Sequence, residues 1–342
     1  HINDNPSKIE DYVFYVHKKV LQINGRKKRS RRRHRKSLVD RYILVYFSTD
    51  ETGSYFRHML NHWLGFAICL VVVLLAGSRL PYYGDLLAEK TGISRAFIGL
   101  FLMSVVTSLP EVMVGFSAAA LVQSADLAVG DILGSCAFNL CLIPLMELIS
   151  KSSKPLLTRV SNTHILAASL SIVLLALTGA GIYISGSIMI LPFIGLNSML
   201  FALIYFVSLR MIYRQQSAHH TPASPSRQNT STLSVSQLLL RYAFFALITV
   251  AAALALPHFA ETIAIETGLS SSFVGTIFLA VTTSLPEVIV SVAAVRMNSV
   301  DLAVGNILGS NIFNIFILFV VDFFYTIGAL LADASEALLI SV

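Results

Sequence analysis

The chain carries the same six residues twice, Thr107 to Val112 and Thr283 to Val288, each reading Thr-Ser-Leu-Pro-Glu-Val. Both copies lie within long apolar stretches, where a proline and a carboxylate are each costly. Proline opens a helix at the preceding turn, so carbonyl oxygens are freed beside hydroxyl and carboxylate oxygens. The repeated segment therefore predicts a site for a cation that takes oxygen ligands.

A pseudo-two-fold axis relating the two copies would bring their oxygens into one cluster with two negative charges. Such a cluster suits Ca²⁺, which takes about six to eight oxygen ligands, and Na⁺ uses the same oxygens. Zinc and copper would require His or Cys. The alternative for one buried Glu is a protonated side chain bonded to a neighbouring helix. The candidate ligands are Thr107, Ser108, Glu111, Thr283, Ser284 and Glu287.

A second repeated segment follows each copy, DLAVGDILGS from Asp126 and DLAVGNILGS from Asp301. We expect these two Asp residues to cap the N-termini of their helices. Glycines spaced four apart favour close helix packing in lipid. The amide oxygens of Asn139 and Asn314 are further candidate ligands, with an interhelical hydrogen bond as the alternative. Additional candidates for the ion site are Asp131, Ser135 and Ser310.

Thr-Ser-Leu-Pro-Glu followed by D-x-A-x-G-N-x-x-G-S-N-x-F-N, present twice, resembles the two alpha repeats of the calcium/cation antiporter superfamily. It is most similar to the prokaryotic sodium/calcium exchanger branch, over roughly residues 63–342. The resemblance implies exchange of Ca²⁺ for Na⁺ by alternating access, with both ions bound at the midplane between the repeats. It implies as ligands the six residues above together with Asn139 and Asn314, and no cofactor.

The first copy departs from that pattern at two positions. Asp131 stands where the second copy has Asn306, and Cys136 stands where it has Asn311. Asp131 is either a third negative charge near the site, which would favour H⁺ or K⁺ as the coupling ion, or protonated and neutral, so H⁺- or K⁺-coupled antiport is the alternative within this class. A non-transporting degenerate homologue and an intramembrane enzyme are the alternatives outside it. The enzyme is disfavoured because Asn306 leaves no aspartate pair opposite Asp131.

Composition predicts the elements that position these residues. The chain is 55% hydrophobic and 13% charged, with a mean hydropathy of +0.72, as expected for an integral membrane protein. Five apolar spans separate one copy from the next, and an odd number inverts the second unit. We therefore predict an all-α polytopic membrane protein with two inverted repeats of about five helices, the second truncated. The predicted spans are about 63–80, 93–122, 127–149, 164–182, 187–212, 238–260, 273–295 and 302–325.

The polar segments define the predicted domains. These are a basic tail (1–62), a first membrane repeat (63–212), a cytoplasmic linker (213–236) and a second repeat (237–342). Residues 26–36 hold nine Lys and Arg, which indicates a solvated segment or contact with anionic lipids, and we expect no nucleic acid partner. We expect the protein to lie in the plasma (inner) membrane. Glu147 and Asp322, at matched positions, are predicted at helix ends in the headgroup region, with the exit of an aqueous pathway as the alternative.

Overall fold

The computed structural model of the chain describes residues 50–150, 152–184, 189–191, 194–218, 233–267 and 279–341. The chain divides into two units, His1–Leu60 and Asn61–Val342, and every contact below lies within the second. The basic segment 26–36 and residues 219–232 of the linker lie outside the described residues. The predicted lipid contact and the domain boundaries therefore remain predictions.

The described residues are almost entirely helical, as predicted. Two short strands, β1 (Met189–Leu191) and β2 (Ile194–Gly195), pair antiparallel. Short 3₁₀ helices cover Leu156–Thr158 and Glu336–Ser341. The α-helices are α1 (Asp50–Gly77), α2 (Leu80–Thr91), α3 (Arg95–Thr107), α4 (Leu109–Val122), α5 (Ala125–Ile149), α6 (Thr163–Tyr183), α7 (Leu196–Ala218), α8 (Val235–Thr267), α9 (Leu279–Thr283), α10 (Leu285–Arg296) and α11 (Val300–Asp322).

Six helices in the described part of the chain are long and apolar enough to cross a membrane, and α3 with α4, bent by 41° at their break, forms either a seventh, broken span or a re-entrant loop. Seven of the eight predicted spans have a counterpart among these, with one difference at the fifth, and the span predicted at 273–295, which lies partly outside the described residues, stays a prediction. The sequence predicted a span from 187, whereas α7 begins at Leu196 after the two strands. The six spans are Met59–Thr91, which runs through α1 and α2, Ala125–Ile149, Thr163–Tyr183, Leu196–Gln215, Val235–Ala260 and Val300–Asp322.

Helix α11 lies at the centre of the described helices and packs against α3, α5, α6, α7 and α10. Its glycines allow the backbone of α3 to approach closely. A Cβ atom at Gly305 would lie 2.8 Å from the carbonyl oxygen of Ala96, and one at Gly309 would overlap the backbone of Leu100. The contacted part of α3, Ile98–Met103, is a π-helix, a form that is common at functional sites. The predicted close packing at the second pair of glycines is confirmed.

The first-turn carboxylates Asp126 and Asp301 do not cap their own helices, so this prediction was wrong. Ser124 caps α5, because its hydroxyl accepts a hydrogen bond from the amide of Leu127 at 3.3 Å. Asp126 instead accepts from the amide of Ser335 at 2.6 Å. Asp301 likewise accepts from the amide of Ser161 at 2.8 Å. Each Asp thus holds the loop that follows the motif helix of the other repeat.

Candidate functional site

The two Thr-Ser-Leu-Pro-Glu segments break their helices as predicted. Helix α3 ends at Thr107 and α4 begins at Leu109, with Ser108 between them at φ −89° and ψ 8°. The second copy repeats this geometry, with Ser284 at φ −84° and ψ 6° between α9 and α10. Each proline lies in the first turn of the new helix, where its missing amide hydrogen is tolerated. Both breaks therefore expose backbone and hydroxyl oxygens beside a glutamate.

The two breaks meet through a reciprocal pair of hydrogen bonds. Ser108 Oγ donates to Glu287 Oε1 at 3.0 Å, and Ser284 Oγ donates to Glu111 Oε1 at 3.3 Å. All four side chains are fully buried. The structure therefore brings the predicted residues of the two repeats into one cluster, each serine contacting the glutamate of the other repeat.

Hydroxyl groups from the second motif extend this cluster. Ser310 Oγ donates to Glu287 Oε1 at 3.3 Å, and Ser284 Oγ lies 3.2 Å from Ser135 Oγ. Thr107 Oγ1 lies 3.4 Å from Ser310 Oγ and donates to Asn306 Oδ1 at 3.2 Å. Thr283 is also fully buried. Hydroxyls of α5 and α11 thus help to hold one oxygen of each glutamate. Ser310 contacts Glu287 directly, and Ser135 acts on Glu111 through Ser284.

The second carboxylate oxygen of each glutamate has no partner. Glu111 Oε2 and Glu287 Oε2 are buried without a hydrogen bond to any protein group. A buried polar atom is normally hydrogen-bonded, because an unsatisfied one costs free energy. An ionised carboxylate in this position requires a cation or a proton. The two bare oxygens are thus the strongest geometric signal for ion binding at this site.

The amides Asn139 and Asn314 sit in different surroundings despite their matched positions. Asn139 Nδ2 donates to Asn311 Oδ1 at 3.1 Å and leaves its own Oδ1 bare, whereas neither polar atom of Asn314 has a partner. Asn311 is occupied on both sides, since its Nδ2 donates to the carbonyl of Cys136 at 3.3 Å. The residue matched to Asn311 is Cys136, which offers no amide to Asn314.

Three residues of the hydrogen-bond network, Asn306, Ser291 and Asn311, were not predicted as site residues. Asn306 is buried between Thr107 and Ser291, to whose Oγ its Nδ2 donates at 3.1 Å. The residue matched to Ser291 in the first repeat is Gly115. An alignment of the two repeats beyond the six shared residues would have shown that Gly115 stands in the place of Ser291. The same repeat also has Asp131 in the place of Asn306, so the two changes occur together.

Acidic, His and Cys side chains alone do not form a metal site in the described part of the chain. Among the described residues, no three His, Cys, Asp or Glu side chains are close enough to hold one metal ion. A cation at the glutamate pair would therefore complete its shell with hydroxyl, amide and carbonyl oxygens. These are the hard ligands that Ca²⁺ and Na⁺ prefer.

The two matched carboxylates at the far ends of α5 and α11 lie outside this cluster. Asp322 is the last residue of α11 and Glu147 lies in the last turn of α5, so both lie at helix ends, while their location in the headgroup region stays a prediction. Glu147 Oε2 accepts from the amide of Leu156 at 2.6 Å. Asp322 is fully buried and accepts from the amide of Leu330 at 2.8 Å. Both fasten the loop that follows their helix.

Comparison with known proteins places the chain in one family. The family model described as "Sodium/calcium exchanger protein" matches residues 61–214 and 236–340. The inner membrane protein YrbG of Escherichia coli K12 is 31% identical over 286 residues, which cover 80% of this chain and 84% of YrbG. The sodium/calcium exchanger MaX1 of Methanosarcina acetivorans is 47% identical over 51 residues, 15% of either chain.

Solved structures agree with this assignment at the level of the fold. The sodium-calcium exchanger NCX_Mj, soaked with 2.5 mM Na⁺ and 10 mM Sr²⁺, superposes with a TM-score of 0.63 at 21% identity. The match covers 82% of this chain and 87% of NCX_Mj. The same exchanger soaked with zero Na⁺ and Ca²⁺ gives a TM-score of 0.59 at 24% identity. The similarity confirms the all-α polytopic transporter fold with two repeats.

Proposed function

The chain belongs to the sodium/calcium exchanger family, whose members are membrane antiporters and not enzymes, and from this premise we propose that it exchanges Ca²⁺ for Na⁺. The observation that carries the proposal is the glutamate pair. Glu111 and Glu287 come from opposite repeats, are fully buried, and each keep one oxygen free of any protein partner. The names of MaX1 and NCX_Mj support the choice of ions.

Charge balance explains why two carboxylates suit Ca²⁺. An uncompensated charge in a low-dielectric interior costs several kcal/mol, and two carboxylates neutralise a divalent cation. Ser108 and Ser284 hold Oε1 of the opposite glutamate, so Oε2 of each is left for the ion. Sodium ions compete with Ca²⁺ for the same oxygens. The empty site reorients poorly because its two negative charges are uncompensated. The site therefore reorients with one ion species or the other bound, which couples the two fluxes.

The proposed transport mechanism is alternating access around this site. The breaks at Ser108 and Ser284 supply short half-helices that can move against each other without unwinding a whole span. We place the protein in the plasma membrane, which the name of the inner membrane relative YrbG supports. Coupling to H⁺ or K⁺ is the second candidate, and it is favoured by the unpartnered carboxylate of Asp131.

The test is sodium-dependent Ca²⁺ uptake in proteoliposomes containing the purified full chain. Glu111→Gln and Glu287→Gln each keep the side-chain shape and leave a net positive charge in the Ca²⁺-loaded site. We expect each to reduce uptake at least 100-fold, the equivalent of about 3 kcal/mol or more for an uncompensated buried charge. Glu147→Gln is the matched control, because Glu147 is exposed and lies outside the cluster, and it should transport normally. Normal uptake by either Gln variant of the pair would rule out this site.

A further inference from the structure

Asp131 is a buried carboxylate that no protein group compensates. Only 8% of the residue is exposed, and neither Oδ1 nor Oδ2 has a hydrogen-bond partner. No ion pair in the described part of the chain involves it. It differs in this respect from both glutamates, each of which keeps one oxygen bonded to a serine.

Asn306, the residue matched to Asp131 in the second repeat, has the hydrogen-bond partners that Asp131 lacks. Asn306 accepts from Thr107 Oγ1 and donates to Ser291 Oγ, so both ends of its amide are satisfied. Gly115 replaces that serine in the first repeat and offers no hydroxyl. A Cβ atom at Gly115 would lie 3.0 Å from Val321 Cγ2 and 3.6 Å from Ile132 Cδ1, so the surroundings of Gly115 are apolar.

Asp131 lies next to the ion site without being part of the glutamate pair. It precedes Ser135 by one turn on the same face of α5, and Ser135 contacts Ser284, which donates to Glu111. Asp131 does not, however, combine with both glutamates into a group of three acids that could hold one metal ion. Its charge therefore needs compensation of its own.

We propose that Asp131 binds one monovalent cation, H⁺, Na⁺ or K⁺, during the transport cycle and thereby sets the number of coupling ions. The inference rests on the proposed function and extends it. Two glutamates balance one Ca²⁺, and a third buried carboxylate adds one negative charge that a single positive charge neutralises. Asn306, neutral and fully bonded, adds no such requirement in the second repeat.

The experiment measures coupling, which is independent of the amount of active protein. In proteoliposomes with a fixed Ca²⁺ gradient, we would determine the membrane voltage at which net Ca²⁺ flux is zero, under tenfold gradients of Na⁺, K⁺ or H⁺ in turn. Asp131→Asn should lower the number of coupled ions per Ca²⁺ by one in one of these three series. Asp126→Asn, on the same helix and outside the site, should match the wild type. Unchanged coupling of Asp131→Asn in all three series, or the same change in Asp126→Asn, overturns the inference.

Equilibrium binding decides the question if Asp131→Asn binds Ca²⁺ without transporting it. The slope of log Kd for Ca²⁺ against log cation concentration should then differ by one from that of the wild type, for one of the three cations. Equal slopes overturn the inference, and so does a folded variant that binds no Ca²⁺, since Asp131 would then belong to the Ca²⁺ site itself. If the single variant fails to fold, Asp131→Asn with Gly115→Ser supplies the hydroxyl that Ser291 gives Asn306.

The two proposals fail in different ways. Lost Ca²⁺ flux in Glu111→Gln combined with wild-type coupling in Asp131→Asn rejects only the role of Asp131. Retained Ca²⁺ flux in Glu111→Gln rejects the glutamate site, whatever Asp131→Asn does.

Discussion

From their second residue onward, helices α5 and α11 have ten residues that differ at one position, yet their polar side chains are satisfied to different degrees. Asp301 accepts from Ser161 and contacts His164 Nε2 at 3.0 Å, whereas the matched Asp126 has one backbone donor. Asn306 has two partners and Asp131 has none. The same order holds at Ser135 and Ser310, whereas Asn139 and Asn314 show the reverse, since Asn139 has one partner and Asn314 has none.

This difference separates scaffold from ion site within a duplicated motif. In the most apolar stretch of α11, 83% of the residues are buried, compared with 39% in that of α5. The bare polar atoms of the site belong to five residues, of which two lie on α5 and one on α11: Glu111, Asp131, Asn139, Glu287 and Asn314. The difference in hydrogen bonding between the repeats comes mainly from residues outside the ten shared ones. The first repeat has Gly115 and Cys136 where the second has Ser291 and Asn311.

The largest expected effect comes from the matched carboxylates at the helix ends. Asp322 accepts from Ser198 Oγ at 2.5 Å, from the amide of Leu330 at 2.8 Å and from that of Gly195 at 3.2 Å, all buried. Asp322→Asn turns one acceptor into a donor that faces these donors, and should cost about 3 kcal/mol of stability. Glu147→Gln loses little, because Glu147 is exposed and has one donor. Thermal unfolding in detergent compares them, and equal losses would contradict a better-anchored α11.

A smaller effect is expected at the helix beginnings. Asp301 is partly buried and holds the loop before α6 through Ser161 and His164, whereas Asp126 is exposed and holds Ser335 alone. We expect Asp301→Asn to raise hydrogen exchange at the Ser161 amide by about tenfold, since a charge-assisted hydrogen bond contributes about 1.5 kcal/mol. Asp126→Asn should raise exchange at Ser335 less than threefold. A larger change at Ser335 would reverse the order that the structure indicates.

The sequence predicted the helical spans and the cluster of both glutamates because repetition, apolar length and proline breaks are local signals. It did not predict that Ser108 would contact Glu287 and not its own Glu111, since that pairing depends on how the repeats dock. The capping roles of Asp126 and Asp301 were wrong for the same reason: a first-turn Asp is a cap by propensity, but here loops of the other repeat supply the donors. The difference between Asp131 and Asn306 became visible only through Gly115 and Ser291.

The smallest expected effect concerns Cys136, the second departure of the first repeat. The Asn139 amide makes one hydrogen bond, from its Nδ2 to Asn311. Asn314 has Cys136 in the place of that asparagine, and both polar atoms of its amide lack a partner. Cys136→Asn would give Asn314 the partner that Asn139 already has. If Asn314 supplies an oxygen to the ion, the new hydrogen bond competes with it and should weaken Ca²⁺ binding about threefold, as one net hydrogen bond of about 0.7 kcal/mol implies.

Isothermal titration of Ca²⁺ into the purified variants measures this effect. Cys136→Ala is the matched control, because it removes the thiol without adding an amide and should leave the Ca²⁺ affinity within experimental error of the wild type. Equal affinities for Cys136→Asn and Cys136→Ala would show that Asn314 does not contribute to the ion site through its free amide. The inequality between the repeats would then lie with Asp131 alone, because that residue is the other first-repeat departure beside the glutamate pair.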